Sequence, residues 1–341
     1  MARSSLEVEV GVSLTCYLVV DNSVGKSSIN GELRCGARCE GCYLIDGGVS
    51  LRYKPSVDEV IQMINSLEAK RVRVILTGAE LLARPDLFEA GLMNDKEYLL
   101  TSGKIIAEES GEEALRLIDR ARIRNITMSW HPVETGGIGR DIVAVAIKKI
   151  RAYFGSRVGV GLNLTVRKSM LERLENELEK MVEIGVNGVR LNRYKAHGGV
   201  SILDMLNGDD IRRVAEIVDK TRKKYPTHSN GPRISISGDF GNLGGTRNYS
   251  CPAGLVGGEV TIVPQKTGKH LVFPCLESRL SDICIGEFDC TDKNRTELKL
   301  KLNLLQDVLH DGCLSATLLS EKTKLDQLTQ MILESDFDTI W

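Results

Sequence analysis

Three cysteines stand close together near the start of the chain. Residues 35–42 read CGARCEGC, so Cys35, Cys39 and Cys42 have the spacing C-x3-C-x2-C. Iron–sulfur clusters are held by cysteine thiolates, and a four-iron cluster has four ligand positions. Three thiolates therefore leave one iron open, and an open metal position can bind the amine and carboxylate of an added molecule. The spacing predicts a [4Fe-4S] cluster with one exchangeable position.

A zinc site is the alternative for the same three residues. Zinc would need a fourth ligand from elsewhere in the chain, such as a distant histidine. Zinc sites usually combine a C-x2-C pair with a second pair at a characteristic spacing, and this segment has no second pair. The pattern therefore favours iron–sulfur over zinc, and colour distinguishes them, because only the iron–sulfur protein would be brown.

Five further cysteines lie in the last hundred residues, at positions 251, 275, 284, 290 and 313. Clustered thiols in a reducing compartment indicate metal ligands or redox groups rather than disulfides. Cys251 and Cys275 flank EVTIVPQKTGKHLVFP, which is typical of a β-hairpin, so folding would bring them together. Cys284, Cys290 and Cys313 compete for two further ligand positions. Cys290 and Cys313 lie in turn-like surroundings and are preferred, whereas Cys284 fits a buried packing role.

The composition is that of an ordinary globular protein. The chain has 341 residues, of which 42% are hydrophobic and 27% charged, and its net charge is -1. The near-zero charge and few aromatics give no support for a nucleic-acid partner. No apolar run reaches the roughly 18 residues of a membrane span, and the first residues lack the apolar stretch of a secretion signal. We therefore expect a cytoplasmic protein without nucleic-acid or membrane partners.

Strand-like and helical patterns alternate along the chain. The strand candidates are residues 15–20, 72–78, 97–103, 125–130, 159–166, 188–194 and 233–239; the helical candidates between them are residues 56–69, 112–122, 142–153, 169–184 and 209–224. This alternation indicates a parallel sheet buried on both faces, and seven such strands favour a partial (β/α) barrel of TIM type.

The sequence thus predicts an α/β protein with two domains. Residues 1–240 would form the barrel, and residues 241–341 a small α+β domain that holds the second cluster and ends in helices at about 296–309 and 318–333. Chemistry in such barrels gathers at the carboxyl ends of the strands. The residues expected there are Gly78, Glu80, Ser102, Ser129, Asn163 and Tyr194.

Over about 240 residues the chain resembles the radical SAM superfamily, whose motif is C-x3-C-x2-C, here Cys35, Cys39 and Cys42. The resemblance implies that a [4Fe-4S] cluster passes one electron to S-adenosylmethionine. The cofactor then gives a 5′-deoxyadenosyl radical, which takes a hydrogen atom from a carbon of the substrate. It further implies an electron donor such as flavodoxin or ferredoxin. Gly41 stands where these enzymes commonly have an aromatic residue, and Tyr43, directly after the motif, is a predicted cofactor contact.

The resemblance also implies further contacts with S-adenosylmethionine. LTGAE, residues 76–80, is similar to the family's Gly-Gly-Glu motif, so Gly78 and Ala79 would let the backbone approach the amine, and Glu80 would accept its hydrogen bond. The remaining implied contacts are Ser129 and Asn163 with the ribose hydroxyls and Arg167 with the methionyl carboxylate. Each of these residues could equally be an ordinary polar group at a strand end.

The end of the chain resembles the SPASM or twitch extension of radical SAM enzymes, in which cysteines on both sides of a hairpin hold an auxiliary cluster. This implies a second, auxiliary [4Fe-4S] cluster, with Cys251, Cys275, Cys290 and Cys313 as the preferred ligands. Such enzymes oxidise, epimerise or cross-link their substrates, so we expect an oxidoreductase or epimerase type acting on a small molecule or short peptide. The rival functions are a zinc-stabilised non-catalytic barrel and S-adenosylmethionine-dependent methyl transfer.

Overall fold

The protein is described by a computed structural model, and its chain divides into two compact units. One unit comprises residues 20–46 and 79–249, and the other residues 1–19, 47–78 and 250–341. The structure describes residues 11–15, 55–68, 73–77, 80–96, 98–130, 139–194, 202–227, 231–237, 240, 259–265, 267–273, 284–290, 298–300, 330, 334 and 338–339.

The unit containing residues 79–249 is built on five parallel strands. They are β3 (Tyr98–Thr101), β4 (Asn125–Trp130), β5 (Gly159–Val166), β6 (Gly188–Arg193) and β7 (Arg233–Ile236), and they pair in chain order. Helices connect them: α2 (Pro85–Glu89), α3 (Lys104–Ala107), α4 (Gly111–Arg120), α5 (Arg140–Phe154), α6 (Leu174–Glu183) and α7 (Gly208–Lys224). Short 3-10 helices cover Leu81–Ala83, Lys168–Arg173 and Ile202–Asp204. These successive β/α units confirm the predicted α/β class and the partial barrel type.

Local sequence explains where these helices begin and which face they bury. Helix α7 starts in a capping box, in which Asn207 accepts from the Asp210 N–H and Asp210 accepts from the Asn207 N–H. Val214 and Val218, four residues apart, are fully buried on one side of that helix. The helices therefore cover an apolar face of the sheet.

Only one face of the five-stranded sheet is apolar. Along β5, Val160, Leu162, Leu164 and Val166 are buried, whereas the alternating glycines, Asn163 and Thr165 are half-buried or exposed. Strands β4 and β6 repeat this alternation. The prediction of a sheet buried on both faces is therefore wrong for these strands, because every second side chain is small or polar and points away from the helices.

The other unit contains a mixed sheet of seven strands. Its strands are β1 (Gly11–Thr15), β2 (Arg73–Thr77), β8 (Glu259–Val263), β9 (Lys269–Phe273), β10 (Gly286–Asp289), β11 (Leu298–Leu300) and β12 (Asp338–Thr339), and helix α1 (Val57–Glu68) precedes β2. β1 lies between β2 and β8 and is parallel to both, and the strands from β8 to β12 follow antiparallel. The predicted hairpin is confirmed as β8–β9, and together with β10 it forms the small C-terminal part.

The first described strand covers Gly11–Thr15, and of the predicted segment 15–20 only Thr15 lies within the described residues. Two sequence-based expectations for this unit differ from the structure. β1 pairs with β2 and with β8, so the first two strands belong to the sheet of β8–β12 and not to that of β3–β7. The helix predicted at 296–309 is wrong at its start, where Leu298–Leu300 pairs with β10. The helix predicted at 318–333 lies almost entirely outside the described residues. None of the described helices is long and apolar enough to cross a membrane.

Candidate active site

Several predicted site residues lie outside the part of the chain that the structure describes. They are Cys35, Cys39, Cys42, Tyr43, Gly78, Ala79, Cys251, Cys275 and Cys313. Five others are described, namely Glu80, Ser129, Asn163, Arg167 and Cys290. The geometry of the candidate site is therefore built from these five and their neighbours.

Glu80 is the centre of a buried hydrogen-bond cluster. Its side chain is only 1% exposed. Oε2 accepts from the Ser102 N–H at 2.9 Å and from the Ser102 hydroxyl at 2.6 Å, and the Thr101 hydroxyl lies 2.8 Å from Oε1. Oε1 also accepts from the Leu82 N–H at 3.2 Å, which caps the short 3-10 helix. The carboxylate thus joins the segment after β2 to the carboxyl end of β3.

These contacts fill most of the acceptor capacity of the carboxylate, which is about four lone pairs. Burial raises the pKa of Glu80, and the hydrogen bonds from Ser102, Thr101 and Leu82 counteract part of that rise. Gly103, next along the chain, has a φ of 80°, and a Cβ there would meet the Met128 sulfur at 2.8 Å. The turn after β3 therefore requires both a glycine and the Glu80 carboxylate.

Ser129 and Asn163 lie side by side on the polar face of the sheet. They are register partners on β4 and β5, and both are half-buried. Register partners in a sheet have side chains on the same face, about 4.8 Å apart in the pairing direction. The sheet thus brings together one hydroxyl and one carboxamide, as the sequence predicted, and this pair can both donate and accept hydrogen bonds.

Arg167, at the carboxyl end of β5, is already engaged by protein groups. Its side chain is buried, its guanidinium carbon lies 4.6 Å from the centre of the Tyr194 ring, and Nη1 lies 3.9 Å from Asp204 Oδ2. Asp204 also accepts from the Ser169 N–H and hydroxyl. A role for Arg167 with an incoming carboxylate stays a prediction, and it would have to compete with Asp204.

Sequence reasoning missed the buried carboxylate of Glu177. This helix α6 residue accepts from Trp130 Nε1 at 3.1 Å and from Arg140 Nη2 at 2.6 Å, and its side chain is 4% exposed. Trp130 follows Ser129 on β4, so the cluster holds the end of that strand from the apolar side. The only signal in the sequence was an acidic residue in a run of helix α6 that is otherwise apolar on that side.

Cys290 lies directly after β10 and is buried beside His270. The Gln265 N–H donates to His270 Nδ1 at 2.9 Å, so the neutral ring carries its proton on Nε2, which lies 2.9 Å from Cys290 Sγ. The thiol in turn lies 3.5 Å from the Gly268 carbonyl oxygen. Burial lowers the pKa of His270 to about 4 and raises the pKa of Cys290 to about 11, so both groups are neutral at pH 7.

Cys284 and Cys290 lie at opposite ends of β10. Ile285 already donates to Val272, so the chain from 284 to 290 is extended, and its six residue steps span about 20 Å. Two thiolates so far apart cannot bind one small cluster. Cys284 lies beside the end of β9, whereas Cys290 lies beside its start. In the sequence, Cys275 follows the last residue of β9 by two positions.

No protein-family model and no curated protein matches the chain. Several solved structures, in contrast, match the chain in fold. SuiB of Streptococcus suis bound to the precursor peptide SuiA has a TM-score of 0.56 at 14% identity, covering 79% of this chain and 60% of SuiB. SuiB bound to S-adenosylmethionine gives 0.52 at 13% identity, covering 80% of this chain and 59% of SuiB.

A second protein gives a similar result. anSMEcpe with bound AdoMet and the Kp18Cys peptide has a TM-score of 0.51 at 15% identity, covering 83% of this chain and 78% of anSMEcpe. SuiB and anSMEcpe are radical SAM enzymes of the SPASM/twitch type. This chain has the radical SAM fold. It spans about 60% of the length of SuiB, and the predicted resemblance to the superfamily is confirmed at the level of the fold.

Among the described residues of this radical SAM fold, Ser129 and Asn163 suit a contact with S-adenosylmethionine, whereas Glu80 does not. Ser129 and Asn163 provide a hydroxyl and an amide on the open polar face, which fits the hydroxyls of a ribose. Glu80 does not present a free carboxylate to an amine, because its oxygens already accept from Leu82, Thr101 and Ser102. The predicted contact of Glu80 with the cofactor therefore stays a prediction.

Proposed function

We propose that this protein is a radical SAM enzyme that abstracts a hydrogen atom from a carbon of its substrate. The observation that carries the proposal is the C-x3-C-x2-C motif, Cys35, Cys39 and Cys42, in a chain with the radical SAM fold. When bound there, a [4Fe-4S] cluster supplies one electron to S-adenosylmethionine, which yields methionine and a 5′-deoxyadenosyl radical that becomes 5′-deoxyadenosine by taking the hydrogen. Flavodoxin or ferredoxin would supply the electron.

The described residues support the binding part of this proposal. Ser129 and Asn163 would hold the ribose on the polar face, and Tyr43, Gly78, Ala79 and Arg167 complete the proposed cofactor contacts. Glu80 would act indirectly, since its hydrogen bonds hold Ser102 in place at the carboxyl end of β3.

We propose a peptide substrate in preference to a small molecule. SuiB and anSMEcpe were each solved with a peptide bound, and strands β4 to β6 of this chain carry small and polar residues along one face, which suits contacts with a peptide backbone. The outcome of the radical step would be oxidation, epimerisation or cross-linking. A cytoplasmic location agrees with a function that needs reduced thiolates.

An auxiliary cluster in the C-terminal domain is part of the proposal, with residues 1–240 as the barrel and 241–341 as the twitch-like domain. Cys251, Cys275 and Cys313 are its proposed ligands. For the fourth ligand, the sequence favours Cys290, but the topology favours Cys284. Cys284 lies just before β10, at the end of the connection that starts from Cys275 after β9. Each thiol would have to leave its present partners, His270 and Gly268 for Cys290 and the Gly286 carbonyl oxygen for Cys284.

The decisive experiment replaces Cys35, Cys39 and Cys42 together by alanine. After anaerobic reconstitution with iron and sulfide, the wild type should be brown and should release 5′-deoxyadenosine from S-adenosylmethionine with dithionite, whereas the triple variant should release none. Cys16→Ala, in the same region but outside the motif, is the matched control and should retain activity. S-adenosylhomocysteine as the product would instead indicate methyl transfer, and a colourless wild-type protein that binds zinc would indicate the non-catalytic alternative.

A further inference from the structure

A row of four polar side chains crosses the open face of the five-stranded sheet. Register pairs Ser129 with Asn163, Asn163 with Arg190, and Arg190 with Ser235, so the row runs over β4, β5, β6 and β7. All four are half-buried or exposed, whereas their chain neighbours Met128, Leu162 and Leu191 on the opposite face are buried. The row covers three strand spacings, about 14 Å, which equals about four residues of extended peptide.

Among the strand residues of this face, the only charged side chains are positive. Strands β3 to β7 contain no aspartate or glutamate. The polar face carries Arg190 on β6 and Arg233 on β7, and Arg233 is the register partner of Gly188, two residues before Arg190. Arg190 is exposed and, within the part of the chain that the structure describes, makes no side-chain hydrogen bond or ion pair. Other arginines of this unit, such as Arg140 and Arg167, bind carboxylates. Arg190 therefore has a free guanidinium fork, which suits a carboxylate.

Space for a ligand lies next to this arginine. The neighbouring row of the same face contains Gly161 and Gly188, which are register partners without side chains. A Cβ at Gly188 would make only an ordinary contact, 3.5 Å from the Arg233 carbonyl oxygen, whereas one at Gly161 would be crowded by the Thr127 hydroxyl at 3.3 Å. The sheet floor at Gly188 therefore leaves room for another backbone to approach.

We infer that Arg190 anchors a glutamate or aspartate side chain of an extended peptide substrate that lies on this face beside the cofactor. The inference rests on the proposed function, because Ser129 and Asn163 would hold the cofactor's ribose in the same row. Asn163 is one strand spacing from Arg190 and Ser129 two, which is about 5 and 10 Å. The anchor thus places the carbon to be modified close to the acidic residue in the peptide sequence.

The test measures peptide binding directly, on the anaerobically reconstituted full chain with S-adenosylmethionine present. Two fluorescein-labelled hexapeptide pools serve as probes; both are randomised over small neutral residues, and one has a fixed central glutamate where the other has glutamine. Fluorescence anisotropy should show tighter binding of the glutamate pool to the wild type. Loss of one charge-assisted bidentate contact should weaken that binding about tenfold to a hundredfold in Arg190→Gln, and less in Arg190→Lys.

Arg120→Gln is the matched control, because Arg120 is an exposed arginine on helix α4. It should keep the preference for the glutamate pool. Equal or absent binding of both pools by the wild type, or a preference that survives in Arg190→Gln, would overturn the inference. So would a loss of S-adenosylmethionine affinity in Arg190→Gln with the peptide preference intact, since Arg190 would then belong to the cofactor site. The proposed function fails separately, if the wild type releases no 5′-deoxyadenosine.

Discussion

Replacing Glu80 by glutamine should destabilise the fold directly, whether or not a cofactor is bound. The carboxylate accepts from two backbone N–H groups, those of Leu82 and Ser102, and from the hydroxyls of Thr101 and Ser102. Glutamine has the same shape but only one acceptor oxygen, so in either orientation its NH2 group faces one of the backbone donors. A buried donor without an acceptor costs about 1–3 kcal/mol, and we expect the free energy of unfolding to fall by that amount.

Alanine at position 80 should have a larger effect. Both backbone donors would lose their acceptor and a cavity would remain, so we expect a loss of about 3–5 kcal/mol. Glu113→Gln, at an exposed position on helix α4, makes the same chemical change and should stay within about 0.5 kcal/mol of the wild type. Denaturant unfolding followed by circular dichroism under anaerobic conditions measures all three variants.

The pH dependence gives an independent check on the same residue. The pKa of Glu80 is raised above its ordinary value of 4.5, chiefly by burial, so the folded chain holds this proton more tightly than the unfolded chain. The stability that this group contributes is therefore fully present below pH 4.5 and is lost as the pH rises through the raised value. Glutamine cannot titrate, so the advantage of the wild type over Glu80→Gln should grow as the pH falls from 7 towards 4.5.

One result would refute this reasoning about Glu80. If Glu80→Gln unfolds like the wild type at every pH and yet binds S-adenosylmethionine more weakly, the carboxylate is available to the cofactor's amine. The hydrogen bonds to Thr101 and Ser102 would then be incidental to the stability of the fold.

Three other predictions concern the clusters and the far side of the sheet. The Cys35/Cys39/Cys42 triple-alanine variant should retain about four irons per chain after reconstitution, the content of one auxiliary [4Fe-4S] cluster, and a value near zero would remove that cluster. Adding Cys284→Ser to this background should abolish the remaining iron, whereas adding Cys290→Ser should keep it; the opposite result would make Cys290 the ligand. Glu177→Ala should lower the free energy of unfolding by about 3 kcal/mol, because Trp130 and Arg140 lose a buried acceptor, while the exposed Glu183→Ala should have little effect.

The helices and parallel strands were predictable because their signals are local. Helix α5 was expected at residues 142–153 and covers Arg140–Phe154, and β5 was expected and found at residues 159–166. The one-sided burial of β5 was also visible in GVGLNLTV, where apolar residues alternate with glycine, asparagine and threonine. The same alternation in LKLKL, from residue 298, indicates a strand where a helix was expected.

Pairing between distant segments could not be predicted in this way. Nothing in residues 11–15 indicates that β8, almost 250 residues later, is their neighbour. The partners of Glu80 come from the end of a separate strand, and the contact between His270 and Cys290 depends on the register of β9 and β10. Local periodicity predicts which face of an element is buried, but it carries no information on which element lies against it.

The position of β1 between β2 and β8 has a consequence for how this protein can be shortened. Residues 11–14 have hydrogen-bonded strands on both sides, one from the early chain and one from beyond residue 258. A chain ending near residue 240 would keep the cysteine motif and all five strands of the other sheet, yet it would leave one edge of β1 without a partner. Bare strand edges recruit other chains. Removing the residues beyond about 240 should therefore give aggregates, and single substitutions of the C-terminal cysteines are the better means of testing the proposed auxiliary cluster.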